Sequence, residues 1–434
     1  MVSTLKDGAL VLSNRFAVLV VGAIIVALSA CSEELAGGSG CPVLCPESGF
    51  EIVNETIEPV VTLDSAIRGY PLPGTEGQLT LMQRFSGADT VITAGIVRFD
   101  FIPKTVPVGT DSTPVTKVDS AYLRLSLVTS DSLSRRDTIK KVPVTIEVYD
   151  VDTTASDFDT AAVRARFRPG TLIASLTVRR DSIRDSIFVP IDTAVMRSYA
   201  GKGRLRVGLR IRSEASMQVP IATSETGPLF LRFKARGGAD SVTRTVGPAS
   251  SSSGPDGLAP SLDDYTIVLR GTPPAPPQVL AVGGLPAYRA YIRLNIPSRI
   301  IDSSTVVRAA LVLTQVPVRG RTDDTVRAAV QANISIARPL LDIGRAALLV
   351  RSTFGLTQRV RAPTDSGLVR FELAGTIPVW RQTPEDELPR VIVLRSEREA
   401  QFPSEFHFFS NEAPANLRPR LEISYVPRVD FTLP

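Results

Sequence analysis

The chain has 434 residues, 43% of them hydrophobic, and a formal net charge of +5. That is apolar material enough for two or three packed domains, with too little charge for its length to indicate nucleic-acid binding. The one long apolar run lies at the N-terminus, and no later run approaches about 18 residues, so no membrane span is expected beyond it.

Lys6 and Arg15 form a positive n-region, residues 16–27 an apolar stretch of signal-peptide length, and Ser29 and Ala30 then precede Cys31. The sequence Leu-Ser-Ala-Cys at 28–31 resembles the lipobox of bacterial lipoproteins. That resemblance implies diacylglycerol on the Cys31 sulfur, cleavage before Cys31 and a mature chain anchored to the membrane by lipid. Ser32 follows the cysteine in place of Asp, which resembles an outer-membrane address. Residues 1–30 are therefore expected as a signal peptide and 31–49, rich in Gly, Ser, Pro and Glu, as a flexible stalk. Cys41 and Cys45 are the other cysteines. In an oxidising compartment CPVLC suits a local disulfide, and bonded and free forms both stay open. With no His or further Cys nearby the pair makes a poor zinc site.

Beyond the stalk, short segments alternate with period two. Ala121, Leu123, Leu125 and Leu127 share one face against Tyr122, Arg124 and Ser126. Val142, Val144, Ile146 and Val148 oppose Thr145, Glu147 and Tyr149. Leu205, Val207, Leu209 and Ile211 oppose Arg204, Arg206, Arg210 and Arg212. Many such runs, with few helical patterns, predict sheets with one buried face arranged as a sandwich or barrel.

The segments recur. GIVRFDFIP from Gly95 has a counterpart in AYIRLNIP from Ala290, AYLRL from Ala121 in AALVL from Ala309, and IFVPIDTAVMRSYAG from Ile187 in LVRFELAGTIPVWRQ from Leu368. LRIRSE from Leu209 matches IVLRSE from Ile392, and TSETG with PLFLRF matches SNEAP with PRLEIS. Five matches in one order predict a tandem repeat: a first β-sandwich over 50–236, a mobile Gly/Ser/Pro-rich linker over 237–261 and a second β-sandwich over 262–434.

At these segments the chain resembles the DNRLRE-type domain of exported bacterial proteins, a β-sandwich related to carbohydrate-binding modules. VRFDFIP from Val97, DSAYLRL from Asp119 and the helical turn IDTAVMRSYAG from Ile191 carry the resemblance in the first copy. IRLNIP, RAALVL, ELAGTIPVWRQ, RVIVLRSE and the closing FFSNEAPANLRPRLEISYV carry it in the second. Met196 and Tyr199 stand near the place that Trp380 takes in the second copy, and the family's Trp-rich segment is absent from both. The chain also resembles a class of surface lipoproteins built on similar sandwiches. The fold implied is all-β: two tandem antiparallel, jelly-roll-like sandwiches with short helical turns.

Candidate chemistry is sparse. Asp150, Asp152, Asp157 and Asp159 fall within ten positions, in what should be a loop after a strand. They read as a solvated acidic loop or as a structural calcium site, although no EF-hand spacing is present. His407 is the only histidine, reads as a strand residue and has no nucleophile motif beside it. Glu385, Asp386 and Glu387 sit in a turn, where two carboxylates alone do not make a glycosidase. Trp380 is expected in a core. Tyr122, Tyr149, Tyr288 and Tyr291 are the outward aromatic candidates. Arg204, Arg206, Arg210 and Arg212 would form either a positive stripe able to meet acidic polysaccharide or lipid phosphate, or a solvated face that discourages edge association.

These readings converge on a non-catalytic, lipid-anchored protein of the cell envelope without a cofactor beyond a structural calcium ion. Its sandwiches would bind glycan or act in adhesion, or alternatively serve as a scaffold for other envelope proteins.

Overall fold

The computed structural model describes residues 52–428, except 59–64, 71–76, 87–88, 129–141, 158, 251–261, 272–273, 319–326, 336–349, 352–356, 398 and 400–403. Cys31, Cys41 and Cys45, with the expected leader and stalk, lie outside the described residues.

The chain opens with β1 (Val53–Ile57) and β2 (Ser65–Tyr70). There follow β3 (Gln78–Ser86), β4 (Asp89–Phe99), the hairpin β5 (Thr105–Val108) and β6 (Asp111–Pro114), β7 (Lys117–Ser126) and β8 (Pro143–Asp150). Helix α1 (Thr160–Arg164) leads to β9 (Leu172–Arg179) and β10 (Ser186–Pro190). Helix α2 (Thr193–Lys202) leads to β11 (Leu205–Arg212), β12 (Met217–Ala222), β13 (Phe230–Gly237) and β14 (Asp240–Val246). The second half runs β15 (Asp264–Arg270), β16 (Val279–Gly283), β17 (Ala287–Arg293), α3 (Ser298–Ile301), β18 (Ser304–Val316), β19 (Ala328–Ser335), β20 (Val350–Arg351), β21 (Thr357–Arg361) and β22 (Gly367–Glu372). Helix α4 (Ile377–Gln382), β23 (Val391–Ser396), β24 (Glu405–Phe409) and β25 (Arg420–Pro427) complete it.

All strand pairs are antiparallel, and the architecture is the all-β sandwich expected from the alternation. In the first sandwich, β10-β7-β13-β14 faces β12-β3-β4-β11-β8-β9. Between them lies a core that includes Leu123, Leu125, Val189, Leu231 and Phe233 on one side and Ile146, Val148, Val207 and Leu209 on the other. Each such side chain contributes about 1.5–3 kcal/mol by leaving water. The second sandwich repeats the order as β22-β18-β25-β1 and β24-β16-β17-β23-β19, the two runs joined into one sheet where β18 pairs β24, with β20 and β21 both pairing β19. Its core includes Trp380, Phe371, Leu311, Phe406 and Phe408.

The repeat is visible in single hydrogen bonds. The Ile191 amide donates to the Ala121 carbonyl at 3.0 Å, and the Leu373 amide donates to the Ala309 carbonyl at 2.6 Å. This pairing equates Ile187 with Val369 and Phe188 with Arg370, one residue away from the alignment of the two segments by sequence.

The pairing is not collinear with the expected division at 236 and 262. β1 and β2, which precede the first sandwich in sequence, pair β25 and β17 of the second. β15, which precedes the second, pairs β4 of the first. β2 and β15 hold equivalent places, so each sandwich takes a strand from the sequence before the other. Part of the expected mobile linker is also ordered. Gly237 and Gly238, the latter at φ 76°, turn the chain so that β14 pairs β13 from Leu231↔Val246 to Gly237↔Asp240. The β-forming Val and Thr of DSVTRTV suit that role.

Among the described residues no helix is long and apolar enough to cross a membrane.

Candidate functional site

The four aspartates of 150–159 do not converge. Asp150 ends β8 and accepts a hydrogen bond from the Tyr199 hydroxyl, which burial and this carboxylate push well above the usual tyrosine range. Asp152 accepts from the Thr154 amide and hydroxyl, both at 2.9 Å, and these bonds lower its pKa. Asp159 caps α1 through the Ala162 amide at 2.9 Å. Asp157 is fully buried and meets the Arg206 guanidinium at 2.7 Å, the Tyr265 hydroxyl at 2.9 Å and Arg98. Among the described residues no group of three or more His, Cys, Asp or Glu is placed to hold a metal ion. The carboxylates of this loop are thus engaged one by one by the polypeptide, Asp152 and Asp159 at the exposed surface and Asp157 in the interior.

The arginine row of β11 does not form an exposed stripe. The alternation is present, but β11 is a central strand covered on its second face as well. Tyr149, Val163, Tyr265 and Ile267 form a small outer core there, with Phe167 against it. Arg206 is completely buried and also donates to the Val151 and Ala155 carbonyls at 2.9 Å. Arg210 donates to Glu147 at 2.6 Å and to the Tyr149 hydroxyl at 2.6 Å. Only Arg204 and Arg212 are exposed, and Arg212 lies 3.5 Å from Glu147. Tyr149 is buried, its hydroxyl pushed up to about 12 by desolvation and by its bond to Glu147. Tyr288 and Tyr291 are buried too. Two periodicities of equal appearance thus have opposite fates, according to whether another layer covers the strand.

Asp150, Asp152, Tyr199, Lys202, Arg204 and Arg206 wall a polar cleft of about 680 Å³. The Tyr199 ring is buried, with the Lys202 ammonium 5.0 Å from its centroid.

His407 is a buried strand residue, 3.0 Å from the Glu405 carboxylate. Glu385 pairs with Arg293 at 3.1 Å and Arg390 at 3.7 Å. Trp380 is core on α4, as expected.

Of the four candidate tyrosines, Tyr122 alone lies at an open face, the outer surface of β10-β7-β13. The register sets Phe188, Arg124 and Phe230 in one row across the three strands, with Pro190, Tyr122 and Arg232 in the next. The Arg124 guanidinium sits 5.7 Å from the Phe188 centroid and 5.4 Å from that of Phe230, a cation held between two rings. Tyr122 meets Phe188 edge-on at 5.5 Å. Phe188 remains 51% exposed. Arg232 and Lys234 are exposed further along β13. The nearest carboxylate on β7, Asp119, lies at the bulge and is taken by Arg236 at 2.6 Å. Sequence reasoning marked Tyr122 and missed its neighbours. Ile-Phe-Val-Pro at 187–190 already signals an outward Phe188, but its proximity to Arg124 and Phe230 depends on which strands are neighbours.

The second sandwich carries no such face. At the equivalent positions Ala310 replaces Tyr122, Val312 replaces Arg124, Arg370 replaces Phe188, and Arg420 replaces Phe230. Glu422 replaces Arg232 and pairs with Arg370 at 3.2 Å and Arg420 at 3.1 Å.

No family model matches the chain, and no curated protein matches it. Among solved structures, a protein classed as secreted from Parabacteroides distasonis is 11% identical over 87% of this chain and 90% of its own, with a TM-score of 0.20. The T13 IBDV viral particle is 10% identical over 86% and 77%, with a TM-score of 0.12. Neither likeness bears on function.

Proposed function

We propose that this chain is a non-catalytic lipoprotein of the cell envelope that binds glycan on the outer face of the first sandwich. The observation that carries the reading is the row Phe188–Arg124–Phe230 with Tyr122 against it. Sugar rings stack their C–H faces on aromatic rings and give their hydroxyls to nearby polar groups, and this row offers both on one open sheet. A role in binding rather than turnover is supported by the acid, base and cation groups singled out in the sequence. Among the described residues, Asp157, Glu385 and His407 are held in pairs by neighbouring side chains. The envelope address rests on the sequence at 28–31, which predicts that Cys31→Ser moves the protein from the membrane fraction to the soluble one.

The test is affinity electrophoresis of the full-length chain through gels containing single polysaccharides, acidic and neutral. Retardation by at least one polymer, abolished by Phe188→Ala and Tyr122→Ala with the melting temperature unchanged, supports the reading. Mobility unaffected by every polymer refutes it and leaves the scaffold role.

A further inference from the structure

We infer that the glycan is polyanionic, a chain bearing carboxylate or sulfate groups laid across β10, β7 and β13; the inference rests on the reading of this face as the glycan site. Three cations, Arg124, Arg232 and Lys234, occupy outward positions on β7 and β13, and the single carboxylate of the three strands, Asp119, stands at the bulge near Lys234 and is bonded by Arg236. Solvated faces ordinarily mix both signs, and the second sandwich does so: Glu422 balances Arg370 and Arg420 on the same scaffold at the same positions. The fold therefore does not require the excess of positive charge on the first sandwich. Arg124 adds geometry to charge. Stacked between two rings and within 3.4 Å of the Ser186 hydroxyl, its planar donor set loses little freedom when an anion arrives. The row is an open sheet surface rather than a concave pocket. It suits an extended polymer whose charges meet several cations at once, and not a small ligand that needs enclosure.

The experiment measures binding of the detergent-solubilised full-length chain to a polyuronate, a sulfated glucan and an unsubstituted glucan of matched length, at low and high salt. The expected result is binding to one or both acidic polymers about tenfold tighter than to the neutral one, weakened as salt shortens the screening length. Arg232→Glu copies the residue of the second sandwich at an exposed position and should cut acidic binding at least about fivefold. Lys234→Glu should act in the same direction. Arg370→Ala, on the second sandwich, should leave binding unchanged. Equal affinity for neutral and acidic polymers, lost with Phe188→Ala, would overturn the polyanion inference and retain the glycan site. Binding to none of the three would overturn both. Adsorption to vesicles of anionic phospholipid without binding to any polymer would also overturn both, and would mark the face as a lipid-headgroup surface.

Discussion

Tyr265 donates its hydroxyl to the Asp157 carboxylate across 2.9 Å, joining β15 to a loop of the first sandwich 108 residues earlier. That carboxylate also meets Arg206 and Arg98, and Arg98 is shared with the buried Asp100 carboxylate at 2.8 Å, so two buried anions answer two buried cations and a phenol. Neutralising Asp157 leaves Arg98 its bond to Asp100 but leaves the buried Arg206 guanidinium without a carboxylate. Asp157→Asn is expected to lower stability by about 3–5 kcal/mol. Tyr265→Phe deletes a single charged hydrogen bond and should lower it by about 1–3 kcal/mol. Urea unfolding measures both, and a loss under about 1 kcal/mol for Asp157→Asn would mean that water reaches the cluster.

Gly208 lies directly beneath Phe167 on the outer side of β11. A Cβ there would stand 2.4 Å from the ring's Cζ and 2.7 Å from Val151 Cγ2, both inside contact distance. Phe167 also packs on Tyr149, centroids 5.5 Å apart, so the ring has little room to retreat. Gly208→Ala should therefore destabilise by about 1–3 kcal/mol through overpacking, despite the usual preference of a strand for alanine over glycine. A melting temperature equal to wild type would show that the outer layer yields.

Asp264 begins β15 and is buried, accepting the Ser224 amide at 2.7 Å. Burial outweighs that bond and raises its pKa above the usual 3.8. A carboxyl whose folded pKa is raised favours the fold most when protonated. Its contribution is complete below 3.8 and is lost as pH rises through the raised value. Asp264→Asn keeps an acceptor for Ser224 without the charge. Compared with wild type, the variant should be more stable at neutral pH, with the difference closing as pH falls through the carboxylate range. The subtraction isolates this group from Glu55, Asp152 and Glu422, whose pKa values are lowered and whose effects have the opposite sign. A constant difference across that range would place the charge in contact with water.

The alternation in 121–127 and 204–212 was legible as strand in both cases, because period two is a local property. Burial of the second face was not. Whether Arg206 faces solvent depends on Tyr265, Val163 and Phe167, which arrive from distant sequence. The same limit hid the candidate face: Arg124 read as outward on its own strand, and only strand order sets Phe188 and Phe230 beside it in a row. The exchange of β2 and β15 was hidden for a related reason. A strand's sequence records which of its faces is apolar but not which edge it will pair, so two equivalent edges could be filled from either half of the chain. The core place of Trp380 was easier, because the resemblance puts it in the helical turn that packs beneath the sheet.

That exchange makes the two sandwiches mutually dependent, and Trp380, the only tryptophan, reports on it. The indole is buried in the second core, so native emission should be blue-shifted and should move red on unfolding. β15 adds Tyr265 and Ile267 to the outer core of the first sandwich. β1, paired with β25, adds Ile57 to the core of the second. The backbone between them runs through the first sandwich, so neither half contains all its own strands. Cooperative unfolding is expected when each unit's edge is completed by the other. Asp157→Asn, wholly within the first sandwich, should therefore shift the Trp380 fluorescence midpoint to lower urea by nearly as much as it shifts the far-ultraviolet circular dichroism midpoint. An unmoved fluorescence transition beside a displaced dichroism transition would show that the second sandwich stands without the first, and that the exchanged strands bind their hosts independently.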